Sequence, residues 1–344
     1  MKSKCLSLLR AVSVVSLVVC IGPSAFPWPA PPVQTQQEAK PKVSEEEAKA
    51  LVTINSAPDA AAKLAAAGEF VKKYPKSAQR SEVAAYVANE IGKLTDANQK
   101  LKLAEDFQKV FKQDDDLASI QLVMLDALLV LKRTDEAFSQ AASLIAKHPE
   151  NVPVMTHLAL VGAEEAKRQN AKYVPVSLQY GLKSIELIEA NKKPANVNDA
   201  SWERQKAMLP ILYLNMGILA LVTSNPAEAK ARFEKASALN PAEPTSYALL
   251  ANIVDEEYQQ LALSHRAMPA GKEKDETLRK ATETMDKAID LYARALGASG
   301  GKPENKQLED QILQSVTPYY KYRHNGSTEG LQQLIDKYKT PATP

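Results

Sequence analysis

The stretch from Pro210 to Pro241, PILYLNMGILALVTSNPAEAKARFEKASALNP, limits the fold more than any other, because it prescribes two helices and the way they interlock. Tyr213, Met216, Gly217 and Ala220 recur at three- and four-residue spacing before Asn225-Pro226, and Ala229, Phe233 and Ala236 do so after it. Proline is tolerated in a first helical turn but not in an interior, so Asn225-Pro226 ends one helix and begins the next. Small residues at Gly217, Ala229 and Ala236 let the two backbones approach, while Tyr213 and Phe233 fill the spaces beside them. The pattern then returns: Pro210, Tyr213, Met216, Gly217 and Ala220 are matched 34 residues later by Pro244, Tyr247, Leu250, Ala251 and Val254.

A unit of this length and pattern resembles the tetratricopeptide repeat. FVKKYPKS, at residues 70–77, is similar to a helix end and connector common in exported bacterial members of that family. The resemblance implies an all-α fold, a right-handed superhelical solenoid of antiparallel helix pairs, that holds a protein or peptide and uses no cofactor. It also implies a concave groove lined by the first helix of each pair, which places Leu214, Ile218 and Leu221 of the fifth pair there, with Ala248, Asn252 and Asp255 of the sixth. A carboxylate clamp for a charged chain end is disfavoured. Asn252 stands where a clamp asparagine belongs, but Ala248 occupies the place of its companion lysine.

No segment beyond residue 43 shows the sustained apolar-polar alternation of strands, whereas apolar residues at helical spacing recur from Ser44 onward. About seven pairs are expected over residues 44–339. The first spans Ser44 to Tyr74 and turns at Ser56 to Asp59; the second spans Ser77 to Lys112 and turns at Thr95-Asp96. The third runs from Leu117 to Pro149 around Arg133 to Asp135, and the fourth from Val152 to Asn191 with a break at Val174-Pro175. The sixth departs from the family pattern: its first helix runs from Thr245 to Arg266 before a connector at Met268 to Gly271, about 18 residues more than a standard repeat holds. Glu304 to Tyr322 and Thr328 to Lys339 form a closing pair. Ser44 before three glutamates and Thr328 before Glu329 read as helix starts.

The first 25 residues have the layout of a secretory signal: Lys2, Lys4 and Arg10, the apolar run AVSVVSLVVCIG, then small residues at Gly22, Ser24 and Ala25. An uncleaved anchor is the competing reading, since Cys5 to Gly22 approaches the length of a span, and membrane contact is expected only in that case. The small residue that a lipoprotein signal places before its cysteine is missing ahead of Cys20. Both cysteines fall inside this segment, so a mature chain contains none and needs no disulfide in an oxidising envelope. Loss of three cations lowers the formal charge from +2 to −1, which leaves no basic field for nucleic acid. Residues 26–43, with five prolines, read as a spacer or, alternatively, a proline-rich docking motif; residues 340–344 read as a flexible tail.

Little in the sequence points to bond chemistry. His148, His157, His265 and His324 are dispersed and lack the spacing that sets two imidazoles on one helical face, so no metal and no catalytic residue is assigned. GASGGKP, residues 297–303, lacks the Ser or Thr and the preceding strand of a phosphate loop and reads as a flexible connector. Asp114-Asp115-Asp116 lacks calcium-loop spacing and reads as a solvated capping turn. YYKYRHNGS, from Tyr319 to Ser327, fits a helix end whose tyrosines close the last core layer, with glycan or nucleic-acid stacking as the alternative.

From Ile211 to Val222 only Asn215 is clearly polar. A helix apolar all round is either covered by its neighbours or kept for a partner. The expectation is a non-catalytic interaction scaffold, exported to the periplasm or cell envelope. A glycan-cleaving wall enzyme braced by the solenoid, and a structural subunit that self-associates through this helix, are the alternatives.

Overall fold

A computed structural model describes residues 44–194, 197 and 199–339; the expected signal, spacer and tail lie outside them. Among the described residues there are fifteen α-helices, two short 3-10 turns and no strand. The chain divides into two compact units between Val154 and Met155.

The first unit stacks α1 (Glu45–Ser56), α2 (Ala60–Lys73), α3 (Arg80–Gly92), α4 (Ala97–Val110), α5 (Asp114–Val130) and α6 (Thr134–Lys147). Side-chain oxygens start three of them: Ser44 accepts from the Glu47 amide, Asp59 from Ala62 and Asp96 from Asn98 and Gln99. The odd-numbered helices lie side by side in one direction. Tyr86 donates to Asn55 at 3.1 Å and Ser81 to Asp116 at 3.0 Å, partners 31 and 35 residues apart in sequence, so the repeat period is written into the contacts. The helices between them run back, as shown by Lys63 pairing with Glu90 at 2.6 Å and Lys100 with Asp126 at 3.2 Å.

The second unit holds most of α7 (Val152–Lys167), then α8 (Val174–Glu189), α9 (Asp199–Ala207), α10 (Leu209–Val222), α11 (Pro226–Leu239), α12 (Pro244–Ala267), α13 (Lys272–Ser299), α14 (Lys306–Arg323) and α15 (Leu331–Asp336). α7 and α8 close on each other through small residues, with Ser177 donating to the Leu158 carbonyl at 3.2 Å. In α10 and α11 the interlock is as its spacing prescribes. A Cβ on Gly217 would stand 2.7 Å from Cδ1 and 2.9 Å from Cζ of Phe233, and Ala229, Phe233 and Ala236 are buried. α12 and α13 form the long hairpin expected of the sixth pair, at 24 and 28 residues. The all-helical array of consecutive pairs is therefore what the described residues adopt.

Four local expectations are corrected. α9 is an additional helix, held by Trp202, which is buried and donates to Asn191 Oδ1 at 2.9 Å. The turn Asp114 to Asp116 is the first turn of α5 rather than a solvated cap: Asp116 is 1% exposed, with Arg80 Nε at 2.8 Å and off the line of a hydrogen bond. Gly297 to Ser299 end α13 inside the core, and the connector begins only at Gly300, the left-handed cap. A Cβ on Gly297 would lie 2.7 Å from the Tyr338 backbone, so this glycine admits the chain's last described turn. Thr328 does not cap α15, which starts at Leu331 after Gly330 in a left-handed conformation that its missing Cβ permits.

No single helix among the described residues is long and apolar enough to cross a membrane. α9 and α10 reach that length and composition only jointly, across a 44° bend, and Leu212, Tyr213 and Met216 to Leu221 of α10 are buried.

Candidate functional site

The six residues expected to line a groove divide by what neighbouring helices do to them. Ile218 and Leu221 are 4% and 9% exposed and pack with Leu249, Leu250 and Ile253 of α12, while Leu214 is half-buried against the same cluster. Ala248 is buried in the core that continues through α13 and α14. Asn252 accepts from the Tyr292 hydroxyl at 2.9 Å, and Asp255 accepts from the Tyr319 hydroxyl at 2.5 Å. Burial and the Asp255 carboxylate both push the Tyr319 hydroxyl's pKa up, burial being the larger cause; burial likewise raises that of Tyr292. Both side chains thus tie α12 to its partner helices.

The open groove lies elsewhere on α12. It encloses about 290 Å³ between α11 and α13, with α12 as its floor. At 100° per residue, Leu250 and Val254 project about half a turn away from Asn252. Lys230, Glu234 and Ser237 climb α11 along one wall; Lys287, Asp290, Leu291 and Arg294 climb α13 along the other. Tyr247, Leu250 and Val254 descend between them, so the floor is apolar and the walls are charged.

Most of those charges are already engaged. Lys230 pairs with Glu257 at 2.7 Å, and Arg294 pairs with Asp290 at 2.8 Å. The Asp290 carboxylate raises the Arg294 pKa and also receives a very short hydrogen bond from the Tyr338 hydroxyl; the guanidinium lies 4.5 Å from the Tyr338 ring centre. Lys287 and Glu234 are exposed, and neither side chain pairs with a described residue. Among the described residues no three of His, Cys, Asp and Glu gather where they could hold a metal ion. Leu250 and Val254 are 3% and 0% exposed, so the open surface of the groove is its rim, which presents one free charge of each sign.

Sequence spacing did not point to this groove, because it forms between second helices. Its one advance signal was the 34-residue recurrence, which aligns Tyr213 and Tyr247 but leaves only the former enclosed. The Tyr213 hydroxyl donates to Glu189 at 2.5 Å and its pKa is pushed up to about 12, by burial first and by that carboxylate second. Tyr247 is half-buried at the groove.

No family model matches the chain, and no curated protein matches it. Among solved structures it is similar to a tetratricopeptide repeat protein from Parabacteroides merdae ATCC 43184, at 13% identity over 85% of this chain and 97% of that one, with a TM-score of 0.39. So distant a likeness leaves the fold resting on the chain's own helix pairing.

Proposed function

We propose that the protein is a non-catalytic interaction scaffold, exported to the bacterial cell envelope, that binds a protein or peptide on the surface of its helix pairs. The observation that carries this reading is the groove between α11 and α13. It is a concave, apolar-floored surface whose rim keeps Lys287 and Glu234 uncommitted. Export rests on the signal-like first 25 residues alone.

Photo-crosslinking in the native cells tests the reading. A crosslinker at Glu234 of the full-length chain is expected to capture a defined protein that the same group at exposed Lys302 does not. Equal capture from both positions, or release of muropeptides from cell wall by the purified chain, overturns it. Recovery of the chain only in the cytoplasm overturns the export part separately.

A further inference from the structure

We propose that Tyr258, Tyr319 and Tyr322 form, with Asp255, an open cage for a quaternary ammonium group of the choline kind. This stands apart from the scaffold reading, and neither needs the other. α12 and α14 both run antiparallel to α13, the first through the hairpin turn and the second because Asp286 meets Arg323 while Ser299 meets Glu309. They therefore run parallel to each other, and the Tyr319 hydroxyl's bond to Asp255 sets their register. One turn farther along, Tyr258 and Tyr322 come opposite. The rings of Tyr258 and Tyr319 stand 5.4 Å apart at 78°, so two walls meet nearly at a right angle, and Tyr322 is 73% exposed beside them.

Charge selects the occupant. Asp255 accepts from neutral donors, the Tyr319 hydroxyl at 2.5 Å and the Gln259 amide at 3.4 Å, and pairs with no cation among the described residues. Its charge is therefore uncompensated, beside rings whose faces are themselves electron-rich. Burial and, after it, the Tyr322 hydroxyl raise the Tyr258 pKa, with Arg266 acting the other way. The basic side chains of this region leave the cage open. Arg323 is held by both oxygens of Asp286, Lys321 leaves α14 about 200° around from Tyr319, and Arg266 lies about 12 Å of helix beyond Tyr258. An alkylated ammonium suits these groups, because tyrosine faces attract it directly, whereas a hard metal ion demands a shell of oxygen ligands that the faces do not supply.

Ligand-observed NMR with the full chain tests this, comparing choline with dimethylbutanol, the carbon isostere that keeps its shape and lacks its charge. Choline is expected to bind about tenfold more tightly. Tyr322→Leu, which alters an exposed ring, and Asp255→Asn, which removes the charge but keeps an acceptor for Tyr319, should each weaken choline binding several-fold. Cosedimentation with phosphatidylcholine vesicles separates the two sources of the group: pelleting with them supports a lipid head group, and choline binding without pelleting supports the free cation. Equal affinity for choline and its isostere, choline binding unmoved by either substitution, or a neutral sugar bound more tightly than choline overturns the inference. Absence of saturable choline binding does so outright.

Discussion

The α10/α11 pair and the α12/α13 hairpin are successive copies of one pattern, yet they close by different means. In the former, a glycine lets an aromatic ring lie against the helix backbone; in the latter Ala251 takes the glycine's place, and the Tyr292 hydroxyl reaches across to Asn252. The first pair has helices of 14 residues each and ends with its neighbours. The second outruns them. Lys230 of α11 meets Glu257, and Arg323 of α14 meets Asp286 at 2.6 Å, so residues 259–284 extend past both ion pairs. In the hairpin the Tyr292–Asn252 hydrogen bond is added to an apolar seam of Ala248, Ala251, Val254, Met285, Ala288 and Ile289, whereas the shorter pair is locked by one ring on one glycine.

The sharpest way to break this contrast is to empty the steric lock. Phe233→Ala is expected to cost about 3 to 5 kcal/mol, because a ring with no exposed surface leaves a cavity beside Gly217. Chemical denaturation monitored by circular dichroism reads it; a loss under 1 kcal/mol would mean that the pair does not depend on the ring. Gly217→Ala tests the same contact from the other side and should cost about 1 to 3 kcal/mol through overpacking. Combining it with Phe233→Leu should recover part of that loss, and simple additivity of the two would contradict the contact.

That lock was legible in the sequence, since spacing and residue size state which side chains meet. The hairpin's length was legible too, because Met268 to Gly271 is the first break after Pro244. α9 was not: its mean composition is polar, and only Trp202 marks a buried face, a signal that needs the space between α8 and α10 to be known. Asp116 was misread for a related reason. Three consecutive aspartates look solvated until Arg80, 36 positions earlier, is brought to 2.8 Å by the stacking of α3 on α5. The groove depends on three helices at once, and pattern within one pair is blind to it.

The polar closure predicts a smaller effect and a pH dependence. Tyr292→Phe should cost about 0.5 to 1.5 kcal/mol, the ordinary worth of one hydrogen bond, since half-buried Asn252 can turn to solvent. In the steric pair, Tyr213 has its pKa raised from 10.0 to about 12. A raised tyrosine pKa means that the folded state prefers the protonated form, so its contribution is intact below pH 10 and lost as pH rises toward 12. Tyr213→Phe should therefore flatten the fall in stability across that window. An unchanged alkaline limb in denaturation curves at pH 9, 10 and 11 would show that Tyr213 is not held as described.

The smallest effect belongs to the part of the hairpin with no counterpart in the shorter pair. Leu278 is 46% exposed on the extension, one turn beyond the buried Ala281. Leu278→Ser should change stability by no more than about 0.5 kcal/mol. Backbone exchange adds a second measure, because amides in the outer turns open without disturbing the core around Ala251 and Tyr292. Those of residues 262–280 should exchange well before those of 248–254 and 285–296. If the two sets exchange together, the extension is cooperative with the core, and lengthening the helices has added to the fold's closure instead of projecting beyond it.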